Sequence, residues 1–255
     1  MKKIIIFFLI MVSIFCFSAC SFFDENDSGS EEYSFEYSLN EDNNSYTITK
    51  YKPNNYFNEP QKVVIPATYN DKPVTEIGSK AFYARSMEEL EIPEGIEIIG
   101  SYAFFACDEL KTINFPKTLT IIKEYAFERC DSLKKIEISE SVEIGFRAFY
   151  DCEKLEKLVL SENATIGGYS FAKCKNLTIV DIRGAVSIGE SGFQDSGVIT
   201  LTLSDKLELL GANSFNGCEK LEIIYVYEIN GEFNPETGHW WSLNAGDFEW
   251  VYINE

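Results

Sequence analysis

The chain has 255 residues, with 41 acidic and 22 basic side chains, a single histidine and a formal net charge of −19. A surface this acidic repels phosphate backbones and anionic headgroups, which sets nucleic acid aside as a partner. One histidine also rules out a two-histidine metal site. Any His-based triad would have to use His239, which sits in Gly238-His239-Trp240-Trp241 without a neighbouring nucleophile.

Residues 1–19 read as a targeting segment. Lys2 and Lys3 precede an apolar run from Ile4 to Phe15, shorter than the roughly 20 residues a spanning helix needs. The run ends in Phe17-Ser18-Ala19-Cys20, which resembles the lipobox of bacterial lipoproteins. The resemblance implies cleavage after Ala19, diacylglycerol on the Cys20 thiol and a membrane anchor outside the cytoplasm; the alternative is an ordinary secretory signal that contains a cysteine. Loss of Lys2 and Lys3 would take the charge from −19 to −21. Residues 20–32 carry Asp24, Glu25, Asp27, Glu31 and Glu32 among serines and glycine. They bury too little to order themselves and read as an acidic flexible tether, with nothing to fix the carboxylates around a metal.

Residues 33–76 read as a β-rich N-terminal cap. From there the chain returns seven times, at steps of 22 or 23 residues, to one pattern anchored at Ile77, Ile99, Ile122, Ile144, Ile166, Ile188 and Leu210. A fixed period of this size marks a solenoid, whose units bury their apolar faces only by stacking. In the second unit, Ile113-Asn114-Phe115 alternates as a half-buried strand that Pro116 ends, and Leu119 to Ile122 leads into the next anchor. Gly100 turns the chain. Ala103, Phe104, Cys107 and Leu110 then fall at helical spacing, which predicts a short helical segment with its apolar side inward. Phe82, Phe104, Phe127, Phe149, Phe171, Phe193 and Phe215 occupy one column, expected to stack at rungs about 4.8 Å apart.

These units resemble the BspA-type leucine-rich repeats of bacterial surface proteins, whose pattern runs Ile-Gly, Ala-Phe, Cys, Leu, Ile, Ile-Pro. The expected architecture is an α+β leucine-rich-repeat solenoid of seven units over 77–226, with short strands and short helical turns, closed by an aromatic cap over 227–255. The resemblance implies a non-enzymatic protein without cofactor that binds host or neighbouring-cell proteins.

Cys107, Cys130, Cys152, Cys174 and Cys218 share one register, one per rung. Parallel side chains about 4.8 Å apart suit buried thiols better than disulfides, whose Cβ atoms want about 3.8 Å, although cross-rung pairing or a metal remain alternatives. Paired carboxylates such as Glu88, Glu89 and Glu91 lack the enclosure that acid–base catalysis requires. Trp240, Trp241 and Trp250 suit either a cap over the last rung or an aromatic platform for a glycan or protein.

The outward strand positions give a row of Glu89, Thr112, Lys135, Lys157, Ile179, Thr200 and Ile223. Beside it runs a row of Glu91, Asn114, Glu137, Val159, Asp181, Thr202 and Tyr225. The apolar members of the later rungs, with Lys135, Glu137, Lys157 and Asp181, form the candidate binding face. Either those apolar residues are incidental or covered by the tail after Tyr227, or they contact a protein. A self-associating structural component of the envelope is a further reading.

Overall fold

The computed structural model describes residues 32–160, 163–203 and 206–225, together with the backbone course of 226–227 and 249–253. Cys20, residues 21–31 of the acidic tether, His239, Trp240 and Trp241 lie outside the described residues. The chain opens with β1 (Tyr33–Leu39), β2 (Tyr46–Pro53), β3 (Lys62–Val64), β4 (Thr68–Tyr69) and β5 (Lys72–Ile77). Each later rung then supplies two short strands. These are β6 (Glu89–Glu91) and β7 (Ile98–Ile99), β8 (Thr112–Ile113) and β9 (Ile121–Ile122), and β10 (Lys135–Ile138) and β11 (Glu143–Ile144). There follow β12 (Lys157–Leu160) and β13 (Ala164–Ile166), β14 (Ile179–Asp181) and β15 (Ala185–Ile188), β16 (Thr200–Leu203) and β17 (Leu209–Leu210), and finally β18 (Ile223–Tyr227) and β19 (Glu249–Ile253).

The second strands form one continuous parallel ladder, β5-β7-β9-β11-β13-β15-β17, which the antiparallel hairpin β1-β2 closes at its start. The first strands form the opposite, outward face, but in two sheets: β3-β6-β8 and β10-β12-β14-β16-β18-β19. Because β3 pairs with β6 and β5 with β7, residues 62–77 already form a rung ahead of the seven.

The expected helical segments are absent: no described residue is helical, and the wall between the two strand faces is built of turns. The reason lies in where the backbone N–H groups go. Ala103, Phe105 and Cys107 donate three residues back, to Gly100, Tyr102 and Phe104. Tyr102, Phe104 and Ala106 donate instead across to Glu124, Ala126 and Glu128 of the next rung. Tyr102 and Ala106 reach those partners with φ of 59° and 54°, and the equivalent residues repeat this, for example Tyr125 and Arg129 or Tyr169 and Lys173. An α-helix sends every N–H back four residues and tolerates no left-handed residue. The spacing of Ala103, Phe104, Cys107 and Leu110 therefore reflects consecutive turns knitted into a third inter-rung ladder.

The core follows from this stacking. The seven phenylalanines are buried and stack at centroid separations of 4.9 Å between Phe82 and Phe104, 5.0 Å between Phe127 and Phe149, and 5.6 Å between Phe193 and Phe215. Tyr51 of the hairpin lies 5.0 Å from Phe82, so the cap extends the same column. Full burial of each ring contributes about 2–3 kcal/mol. The rungs also approach closely where Ile-Gly recurs: a Cβ on Gly145 would stand 2.7 Å from the Glu124 nitrogen and 2.8 Å from the Lys123 carbonyl carbon, both backbone atoms that cannot yield.

Candidate functional site

The parallel register brings most of the two outward rows together. Lys135, Lys157, Ile179, Thr200 and Ile223 are consecutive partners across β10 to β18, as are Glu137, Val159, Asp181, Thr202 and Tyr225. Alternation along each strand turns their neighbours Ile136, Leu158, Val180, Leu201 and Ile224 into the core. The face begins with a charged triad. Glu137 lies 2.6 Å from the Lys135 ammonium and 2.8 Å from that of Lys157, and these hydrogen bonds hold its carboxyl below the usual range. Asp181 is gripped by Arg183 through two nitrogens at 2.9 and 2.7 Å, which lowers its pKa in the same way. Ile179 is 56% exposed between Lys157 and Thr200, with half-buried Val159 diagonal to it and half-buried Ile223 and Tyr225 two strands further on, across Thr200 and Thr202.

The structure does not join the first part of either row to the rest. Glu89 pairs with Thr112, but β8 ends its sheet at Ile113 and is not hydrogen-bonded to β10. Asn114 turns back instead, accepting from the Ile92 N–H at 2.8 Å and donating to the Ile92 carbonyl at 2.7 Å. Phe115 packs edge-on against Phe127 and Phe149, at 5.8 and 6.5 Å. A cleft of 570 Å3 opens here, lined by Lys111, Lys134 and Lys135 together with Asn114, Phe115 and Glu137. Sequence columns alone did not reveal this seam, since Thr112 and Lys135 occupy equivalent positions.

Sequence reading also missed the aromatic and cationic stripe on the wall of turns. Tyr102 stacks on Tyr125 at 4.6 Å, Tyr83 on Phe105 at 5.1 Å, and the Arg147 guanidinium lies 3.8 Å from the Tyr150 ring centroid. Stacking covers one face of each ring in these two pairs, while Phe146 meets Tyr125 and Tyr169 edge-on and stays exposed, as does Tyr83. Beneath them Glu128 is buried against Arg147, at 3.4 Å, and burial pushes its carboxyl above the usual range.

The five repeat cysteines are unpaired and buried. Cys107, Cys130, Cys152, Cys174 and Cys218 each donate to the carbonyl of the preceding rung's stacked phenylalanine, at 3.0–3.3 Å. Desolvation pushes the Cys107 thiol up to about 12. Among the described residues no group of three or more His, Cys, Asp or Glu side chains is placed to hold a metal ion. In β19, Trp250 stands opposite Ile224 in the parallel register.

A family model described as the BspA type leucine rich repeat region matches residues 75–187 and 142–234, in six copies. The chain belongs to the BspA-type leucine-rich repeat family. Among solved structures it is similar to a leucine-rich repeat protein of T. pallidum, at 28% identity over 73% of this chain and 87% of that one, with a TM-score of 0.63. It is also similar to a leucine-rich cell surface protein of Faecalibacterium prausnitzii, at 30% identity over 78% of this chain, with a TM-score of 0.65. The chain spans about half the length of that protein, 54%. No curated protein matches it. In this BspA-type solenoid the Ile-Gly pair thus marks a close rung-to-rung approach, Ala-Phe and Cys the wall of turns, and Ile-x-Ile the outward strand.

Proposed function

We propose that this BspA-type protein is a lipid-anchored component of a bacterial cell envelope whose outward strand face binds another protein, with adhesion to host or neighbouring cells as its role. The observation that carries the reading is Ile179, 56% exposed in the parallel sheet, with Val159 on the neighbouring strand, Ile223 and Tyr225 two strands away across Thr200 and Thr202, and ion pairs at its border. An apolar centre inside a polar rim is how protein-binding surfaces are built. Two further points support it: the similar F. prausnitzii protein is named as a cell surface protein, and Phe17-Ser18-Ala19-Cys20 supplies the acylation site.

The test uses the chain from Ser21 onward, offered to a panel of purified extracellular-matrix and cell-surface proteins, beside the Ile179→Asp, Tyr225→Asp double variant. Both side chains point outward, so the variant should keep its fold. A ligand that binds the parent should lose at least about 30-fold in affinity, the equivalent of about 2 kcal/mol for a central anchor. A folded variant that binds every ligand as the parent does would remove this face from consideration.

A further inference from the structure

We propose that the seam between β8 and β10 is a docking site for the acidic segment 21–31 of the same chain. The seam presents unused groups. The Lys134 carbonyl accepts from the N–H groups of Glu156 and Lys157 in β12. Strand alternation then turns the backbone groups of Lys135 and Glu137 the other way, toward β8, with which β10 shares no ladder. Four lysines, Lys111, Lys134, Lys135 and Lys157, meet two glutamates there, Glu88 and Glu137. Among the described residues no carboxylate lies within ion-pair distance of Lys134. In a chain of net charge −19 this is a local positive site in a repulsive field.

That field decides the occupant. An acidic ligand arriving from solution is repelled at long range. A segment already joined to the fold needs no such approach, because a short linker presents it at an effective concentration in the millimolar range. Residues 21–31 hold Asp24, Glu25, Asp27 and Glu31 and no basic residue.

The chain path fits. Segment 21–31 enters the fold at Glu32, which lines one hollow with Gln61. The Glu88 N–H donates to the Gln61 carbonyl at 2.8 Å, and the Lys111 N–H to the Glu88 carbonyl at 2.8 Å. Gln61, Glu88, Lys111 and Lys134 therefore mark successive rungs along one edge of the strand face. Two paired rungs at about 4.8 Å separate Gln61 from Lys111, the wider step of the seam follows to Lys134, and the eleven residues 21–31 can span about 36 Å at about 3.3 Å each. The segment therefore has the length to bring its carboxylates to Lys134.

The test is paramagnetic broadening of amide signals in the chain from Ser21 onward, with a nitroxide on Ser28→Cys; the buried repeat thiols do not take up the label. Docking predicts selective broadening at Lys111, Lys134 and Lys135 at low ionic strength. The signals should recover at about 1 M salt, where the screening length falls to about 3 Å, and also in Lys134→Glu, but not in the control Lys175→Glu. Absence of selective broadening at the seam, or broadening indifferent to both salt and Lys134→Glu, overturns the proposal. Should Lys134→Glu fail to fold, the salt series alone decides. No external partner enters the measurement, so its outcome is independent of the binding role of Ile179.

Discussion

Replacing Ala106 by glycine should stabilise this protein, and the sign of the effect separates a wall of turns from a wall of helices. Ala106 has φ of 54° and donates its N–H across to the Glu128 carbonyl at 2.8 Å. Holding an L-residue in that left-handed region costs about 1–2 kcal/mol, which glycine avoids. Glycine gives back about 0.5–1 kcal/mol through its larger entropy in the unfolded chain. The net expectation is a gain of about 0.5–1 kcal/mol. Were the segment helical, the same substitution would lose about 1 kcal/mol. Ala103 is the internal control. It is fully buried, is not among the residues with positive φ, and packs in the column before the stacked phenylalanines, so Ala103→Gly should destabilise. Urea unfolding of both variants, compared at equal slope, gives the two signs directly. A lower midpoint for Ala106→Gly would refute the assignment of its N–H to the neighbouring rung.

Two further outcomes follow from the core. Phe149 stacks on Phe127 and Phe171, at 5.0 and 5.3 Å, whereas Phe215 has one such neighbour among the described residues, Phe193 at 5.6 Å. Phe149→Ala should cost about 4–5 kcal/mol and Phe215→Ala clearly less, as read by chemical denaturation; equal losses would mean that the column does not couple the rungs. The five repeat thiols are buried and the Cys107 thiol is pushed up to about 12. Alkylation of the chain from Ser21 onward at neutral pH, followed by mass, should therefore add nothing to the native protein and five groups after denaturation, and rapid native labelling would contradict the packing.

The period in the sequence made the columns legible because residues one rung apart share an environment. Ile77 through Leu210, Phe82 through Phe215 and the five cysteines all fall where their spacing puts them. The wall of turns was not legible, because a helix and a run of turns with left-handed residues place apolar side chains at the same intervals. The residues that would have given it away, glycine or asparagine at the left-handed positions, appear only late, at Asn213 and Gly217, while Tyr102, Tyr125, Arg147 and Ser191 hold the same conformation in other rungs. Ladder bonds to the next rung outweigh local preference at those sites.

The seam was hidden for a different reason. Ile92 and Ile99 are seven positions apart, as are Phe115 and Ile122, whereas Ile138 and Ile144 are six apart. The connection from outward strand to ladder strand thus shortens by one residue at the third rung, where Pro93 and Pro116 give way to Ser139. The ladder stays paired through this step, with Ile121 opposite Glu143 and Ile122 opposite Ile144. The mismatch is therefore taken up on the opposite face, between β8 and β10, where Asn114 satisfies Ile92 and Phe115 wedges against the phenylalanine column. One wall paired and the facing wall parted is the geometry of a bend. The cleft with its lysines thus coincides with the change of repeat length between the second and third rungs, whereas the return to seven positions between Leu203 and Leu210 leaves β14, β16 and β18 paired.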